Sequence, residues 1–251
     1  LRDPLRCAAL QIAHRFGDPG AALAQADALL RGAGPLDLAL LPEACLTGYV
    51  SPSGDFDLRP QAEPLDGPTS ARLAELAREH RVTLAAPLIE QEGSRAYNSF
   101  VIHGPDGARR AHYRKRHPWF PERWATAGAL PYPLVELAGR RVALAICFDV
   151  HFIAREIPSL LEDADALLFP SAWVDGGAPE DSRAGLLPAL ACRFHLAIIH
   201  ANWARSRPRL PGQGGSRILG PDGELRAPQL GEEPGIVVAE ILNDNPPSGD
   251  T

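Results

Sequence analysis

The chain has 251 residues, 45% of them hydrophobic and 22% charged, with a formal net charge of −6. That length and apolar content suffice for one large α/β domain with a full core, while the acidic balance excludes a general polyanion-binding surface and with it a nucleic-acid partner. No apolar stretch approaches the ~18 residues of a membrane span, and the cysteines Cys7, Cys45, Cys147 and Cys192 have no regular spacing, so they read as reduced thiols of a cytoplasmic protein.

Apolar spacing alternates between the strand and helix periods along the chain. Residues 5–13 predict a strand, 21–30 a helix and 36–41 a second strand. Asp66-Gly67-Pro68-Thr69 supplies turn and cap chemistry for a helix with Leu73, Leu76 and Ala77 on one face, and 82–89 follows as a strand. Residues 97–103 and 108–113 flank Gly104-Pro105-Asp106-Gly107, and 215–219 and 224–227 flank Gly220-Pro221-Asp222-Gly223. Proline presets one turn dihedral and glycine accepts a positive φ, so each unit predicts a hairpin. Between them, 134–137 pairs with 142–146, 166–169 and 196–200 are strands, and 152–161 and 181–194 are helices. Pro- and Gly-rich stretches at 51–64, 119–133, 174–179 and 208–215 read as loops at the mouth of a site. A hairpin late in each half, after strand–helix alternation, predicts two similar sheets face to face with helices outside. The reading is one domain over residues 1–242 and a disordered tail over 243–251.

Cys147 ends the apolar run Val142-Ala143-Leu144-Ala145-Ile146 and precedes Phe148-Asp149. A thiol is thereby delivered to the carboxyl edge of a strand, where open α/β sheets place their chemistry. Most cysteines pack as small hydrophobes, the reading that Cys7, Cys45 and Cys192 keep. A nucleophilic thiol needs a base and donors for its oxyanion. Glu43 offers the base just past the run 36–41, and Lys115 offers a cation within His112-Tyr113-Arg114-Lys115-Arg116-His117, with Glu122 seven residues beyond. The other charges of that run read as a solvated strand end. His112, His117, Cys147, Asp149 and His151 lack the paired Cys/His spacing of a zinc site, and no Gly-rich phosphate loop occurs, so neither metal nor cofactor is expected.

These residues resemble the nitrilase (carbon–nitrogen hydrolase) superfamily, whose members use a Glu-Lys-Cys triad in this chain order. Pro42-Glu43 with Thr47-Gly48-Tyr49 looks like its glutamate motif, Tyr113-Arg114-Lys115 its lysine motif and Ile146-Cys147-Phe148-Asp149 its nucleophile motif. Tyr97-Asn98-Ser99, Pro170-Ser171-Ala172-Trp173, Ala201-Asn202 and Gly215-Ser216 with Pro221-Asp222-Gly223 fall where the family has similar residues, so the likeness runs from about Cys7 to Ile241. Two segments depart from the pattern. Phe152-Ile153-Ala154-Arg155-Glu156 displaces an acid by two positions, and Cys192-Arg193-Phe194-His195 replaces a common Arg-Ala-x-Glu-Asn.

The resemblance implies a four-layer αββα sandwich and an amidase-like hydrolase. Cys147 would be the nucleophile, Glu43 the base, Lys115 and the Phe148 N–H the oxyanion donors, and Glu122 a second acid orienting Lys115 or water. Trp173, His151, Asn202, His195 and Arg205 are expected at the pocket. The expected substrate is a small amide giving ammonia and an acid through a thioester. N-carbamoyl hydrolysis and acyl transfer to an amine are alternatives, ahead of a nitrilase or a noncatalytic scaffold. Amide-cleaving relatives more often carry Tyr-Asp than Trp-Glu after the nucleophile, and Phe148-Asp149 is near the first pattern. The family habit also implies a homodimer or higher homo-oligomer.

Overall fold

The computed structural model describes residues 3–175 and 182–242. Its first half builds a six-stranded sheet from β1 (Leu5–Gln11), β2 (Leu38–Leu40), β3 (Thr83–Glu92), β4 (Arg95–His103) and β5 (Arg109–Arg114), completed by β11 (Gly235–Ile241) from the far end of the chain. The order is β11-β1-β2-β3-β4-β5. β1, β2 and β3 are parallel, while β3, β4 and β5 form antiparallel hairpins. The second sheet has the order β10-β9-β8-β7-β6, from β6 (Leu134–Leu137), β7 (Arg140–Leu144), β8 (Ala166–Ser171), β9 (Ala197–Asn202) and β10 (Arg217–Leu219). Its central strands β7, β8 and β9 are parallel.

Alternation along the strands sorts the layers, because successive side chains point to opposite faces. Ala8 and Leu10 of β1 pack with Ala22, Ala26 and Leu30 of α1 (Pro19–Ala33) and with Leu73, Leu76 and Ala77 of α2 (Pro68–His80). Cys7 and Ala9 turn the other way and join Leu40 and Phe100 in a core shared with Leu144, Leu168 and Ile198 of the second sheet. Helices α3 (Val150–Glu156), α4 (Pro158–Asp163) and α5 (Arg183–Phe194) pack on that second sheet. The result is the four-layer αββα sandwich. Asp18 caps α1 by accepting from the Ala21 N–H at 3.0 Å, with Pro19 opening the helix.

Two expectations are corrected and one strand is added. The helix expected over 152–161 is two helices, because Pro158 has no N–H to continue α3 and instead opens α4. The hairpin arm 224–227 makes only an isolated bridge, Leu219 to Leu225; Pro228 follows without a donor for the ladder. Strand β11 was not foreseen: Gly235–Ile241 pairs with β1 along its whole length, Leu5 opposite Ile241, although the two lie at opposite ends of the sequence. The tail 243–251, and residues 176–181 of the expected loop and helix start, lie outside the described residues. Among the described residues, no helix is long and apolar enough to cross a membrane.

A buried ion network closes the β3–β4–β5 edge. Glu90 is 1% exposed and accepts from Ser99 Oγ at 2.6 Å, His112 Nε2 at 2.7 Å and the Arg114 guanidinium. Burial alone would raise its carboxyl, but hydrogen bonds from His112, Arg114 and Ser99 hold it down at about 2. A carboxylate depressed in the folded state stabilises above its unfolded pKa and loses that contribution as pH falls through the folded value. Glu90→Gln should therefore lower the unfolding free energy by ~2 kcal/mol at neutral pH. Urea titrations stepped from pH 7 downward should show the gap to wild type closing between the ordinary value of 4.5 and about 2. A gap independent of pH would contradict this account.

Candidate active site

The carboxyl ends of the parallel strands from both sheets meet at one edge of the sandwich. β2 runs into Pro42-Glu43-Ala44, β5 into Lys115, β7 into Cys147 and β8 into Ala172-Trp173. Asn98 stands near the start of the antiparallel β4, opposite Ile89 at the end of β3.

Glu43, Lys115 and Glu122 form one buried cluster, with Lys115 0% exposed and each carboxylate 1%. The Lys115 ammonium donates to Glu43 Oε1 at 2.6 Å and to Glu122 Oε2 at 2.8 Å. Asn98 Nδ2 bridges the same carboxylates, reaching each at 2.8 Å. The backbone pins the rest: the Ala172 N–H donates to Glu43 Oε2 at 2.8 Å and the Trp119 N–H to Glu122 Oε2 at 2.7 Å. Gly128 packs so tightly on the Lys115 segment that a Cβ there would lie 2.1 Å from the Arg114 carbonyl oxygen, a contact open only to glycine.

Cys147 begins a single helical turn, Cys147–Asp149, that leads directly into α3. Its φ of +45° lies in the left-handed region, which non-glycine residues rarely occupy. Asp149 holds the strained turn in place by accepting from the Ile146 N–H at 3.1 Å, the His117 N–H at 2.8 Å and Tyr113 Oη at 2.9 Å. Burial pushes the Asp149 carboxyl up to about 6. Burial also pushes the Cys147 thiol well above its usual value, reinforced by Glu43 and opposed by Lys115. The resting sulfur is thus a protonated thiol. Burial would lower the Lys115 ammonium, but Glu122 and Glu43 outweigh it and keep the lysine charged; burial raises the Glu122 carboxyl against the pull of Lys115.

A cavity of about 310 Å³ opens beside the thiol, lined by Trp119, Phe148, His151, Trp173 and Asp175 among others. Of the residues expected at the pocket, Phe148, His151 and Trp173 line it. Asn202 does not, and the reason is saturation. Its Oδ1 accepts from Ser171 Oγ at 2.9 Å and the Trp173 N–H at 3.0 Å, while Nδ2 donates to the carbonyls of Gly212 at 2.7 Å and Gly214 at 2.6 Å. It braces the segment that carries Trp173. His195 caps α5 at its exposed end, and Arg205 pairs on the surface with Glu232 and Glu233. His112 and His117 are bonded to Glu90 and Glu156, and among the described residues no group of three or more metal-ligating side chains converges.

Sequence reasoning missed Asn98, Trp119, Tyr49 and Asp175. The polar pair Asn98-Ser99 inside the buried stretch of β4 was the available signal for Asn98, which is 1% exposed. Tyr49 is 1% exposed and stacks on Trp119 at 6.5 Å, and burial, reinforced by Glu122 and Glu43, pushes its phenol well above the usual value. Nothing in its spacing distinguishes it from core.

A model of the carbon–nitrogen hydrolase family matches residues 6–244, and the chain belongs to that family. It is 35% identical over 143 residues to an (R)-stereoselective amidase of Pseudomonas sp., covering 57% of this chain but only 51% of that protein, so the match spans about half the length of that relative. It is 27% identical over 245 residues to a nitrilase of Pyrococcus abyssi, covering 94% of this chain and 89% of the other. Among solved structures it superposes with a TM-score of 0.79 and 26% identity on the amidase from Nesterenkonia sp. AN1 with the acetamide moiety of fluoroacetamide added covalently at the active site cysteine, over 94% of this chain and 89% of that one.

Removing the shared cation should expose the cost of the cluster. Lys115→Met is expected to destabilise the fold by ~3–5 kcal/mol, because two buried carboxylates lose their counter-ion. Adding Glu122→Gln should recover part of that loss in the same urea unfolding experiment. A single variant as stable as wild type would show that the cluster carries no net buried charge.

Proposed function

We propose that the protein hydrolyses the carbon–nitrogen bond of a small carboxamide through a thioester on Cys147. The observation that carries this reading is the buried Glu43–Lys115–Glu122 cluster lying against a strained cysteine that opens onto a cavity. The covalent adduct on the cysteine of the Nesterenkonia amidase supports a thiol nucleophile in a similar fold.

Because the resting thiol is protonated, attack and deprotonation are coupled. The sulfur attacks the carbonyl carbon as Glu43 takes the thiol proton. Negative charge moves to the carbonyl oxygen, where the Lys115 ammonium and the Phe148 N–H receive it. Residues at the start of a helical turn have no partner for their N–H within it, which leaves such a donor available. A well-placed oxyanion donor contributes about 3 kcal/mol. Glu43 then returns the proton to the departing nitrogen, so the carbon–nitrogen bond breaks with release of ammonia. Water attacks the thioester with Glu43 as base, and the thiol is expelled and reprotonated as the acid leaves. Glu122 and Asn98 touch Glu43 or Lys115 rather than this path, and they fix both groups in position.

Cys147→Ala should lower turnover at least about a thousandfold while the melting temperature stays near wild type, since it removes the nucleophile and little buried volume. Cys147→Ser should fail as well, because a carboxylate is too weak a base for an alcohol. Activity at the wild-type level in either variant would remove Cys147 from the mechanism.

Amides should also be preferred to nitriles. A nitrile gives a thioimidate that must gain a proton on nitrogen before water attacks, whereas an amide needs only the proton that Glu43 already holds. Steady-state assays of matched amide and nitrile pairs, scored by ammonia release, would reverse this assignment if nitriles had the higher kcat/KM throughout.

A further inference from the structure

The cavity beside Cys147 has an uneven charge pattern. Asp175 is the one formally charged side chain among the described residues that line it. Three of the side chains lining the same cavity are aromatic, Trp119, Phe148 and Trp173, and Trp173 touches Asp175 directly. Asp175 is 8% exposed and held in a fixed pose: Trp173 Nε1 donates to its Oδ1 at 2.7 Å and Ser182 Oγ to the same oxygen at 2.8 Å. Among the described residues, Oδ2 receives no hydrogen bond. Trp173, whose indole orients the carboxylate, is itself clamped by its backbone: its main-chain N–H donates to Asn202 Oδ1 and its main-chain carbonyl accepts from Trp203 Nε1, each at 3.0 Å. A rigid, partly desolvated carboxylate that lines a small cavity, with one oxygen taking no hydrogen bond from the described residues, is a receptor for a cation.

The surroundings favour the same ligand. An ammonium is attracted to the faces of aromatic rings as well as to a carboxylate, and aromatic-walled pockets suit it for that reason. No arginine or lysine among the described residues lines the cavity to receive an anionic tail. Arg183 stands beside Trp173, with its guanidinium 5.7 Å from the ring centroid, and donates to the Gly214 carbonyl. At about 310 Å³ the cavity is near the lower limit for small-molecule sites.

We infer that Asp175 selects carboxamides whose acyl tail ends in a protonated amine, and that it rejects tails ending in a carboxylate. The inference rests on the amide-hydrolysing reading of Cys147 for its substrate class, and on the cavity alone for its charge preference. Selection has both parts: attraction of the amine to Asp175, and like-charge repulsion of an acid brought to the same place.

Two tail lengths suffice for the test. The first set is γ-aminobutyramide, its methyl counterpart valeramide and its carboxylate counterpart glutaramic acid; the second is ε-aminocaproamide with heptanamide and pimelamic acid. With the wild-type protein, kcat/KM should be at least about tenfold higher for the amine than for the methyl compound in one or both sets, and lowest for the acid. Asp175→Asn keeps an oxygen that can accept from Trp173 and Ser182, so thermal unfolding should stay near wild type while the amine-to-methyl ratio falls toward one. Calorimetric binding of the same compounds to Cys147→Ala reads the charge preference without turnover. Amine-selective binding that Asp175→Asn in the Cys147→Ala background abolishes, with no hydrolysis by wild type, would sustain Asp175 and overturn the proposed reaction. Hydrolysis and binding that both ignore the tail charge, or that favour the acid, would sustain the reaction and overturn the role of Asp175. An amine preference left intact by Asp175→Asn would also overturn it.

Discussion

An ammonium group with no exposed surface has to be given acceptors by the fold, and Lys115 sets that requirement here. Taking an ion out of water costs several kcal/mol unless compensating partners are fixed around it. The partners come from separate segments: Glu43 after β2, Asn98 on β4, and Glu122 in a turn held by Trp119. Each that shifts takes a hydrogen bond from a buried charge. Burial is the main reason the Cys147 thiol stays neutral, and the cluster adds to it, its two acids favouring the neutral form while its one cation opposes them.

The sandwich joins two sheets with different chemical duties. The first supplies the acid, the cation and the bridging amide; the second supplies the cysteine. They are tied directly where the Ala172 N–H, at the end of β8, donates to Glu43. Two of the five positive-φ non-glycine residues among the described residues lie at this edge, the others being Arg81, Ala138 and His195. Ala44 and Cys147 both have positive φ, at 48° and 45°, beside the residues whose placement matters most. Such conformations persist only where neighbours over-determine them, as the three hydrogen bonds to Asp149 do for Cys147.

Charge is thereby divided in depth. Beneath the thiol lies a closed network whose members satisfy one another, and above it lies a cavity with aromatic walls. Among the described residues lining that cavity, His151 has its pKa lowered by partial burial, and Asp175 is the formally charged side chain.

Local pattern carried much of the molecule. The alternation of periods gave most strands and helices, and apolar runs that end in Glu43 or Cys147 marked chemistry at strand ends, because a strand end is a local event that nearest neighbours encode. The charged run and its spacing pick out Lys115 and Glu122, with roles added by the resemblance, and the structure joins both to Glu43 through Lys115 and Asn98. The pairing of β11 with β1 was not legible, since no short window records that residues about 230 positions apart share a ladder. The break at Pro158 was available locally and was overridden by the apolar period around it. Asn202 and Asp175 reversed their expected and unnoticed roles for a tertiary reason. Whether a polar side chain is spent on its neighbours or left facing a cavity depends on which carbonyls and amides arrive around it: four bonds from other segments saturate Asn202, whereas both bonds to Asp175 fall on a single oxygen. Sequence fixes the donors and acceptors that each residue owns, and only the packed chain decides which of them remain for a ligand.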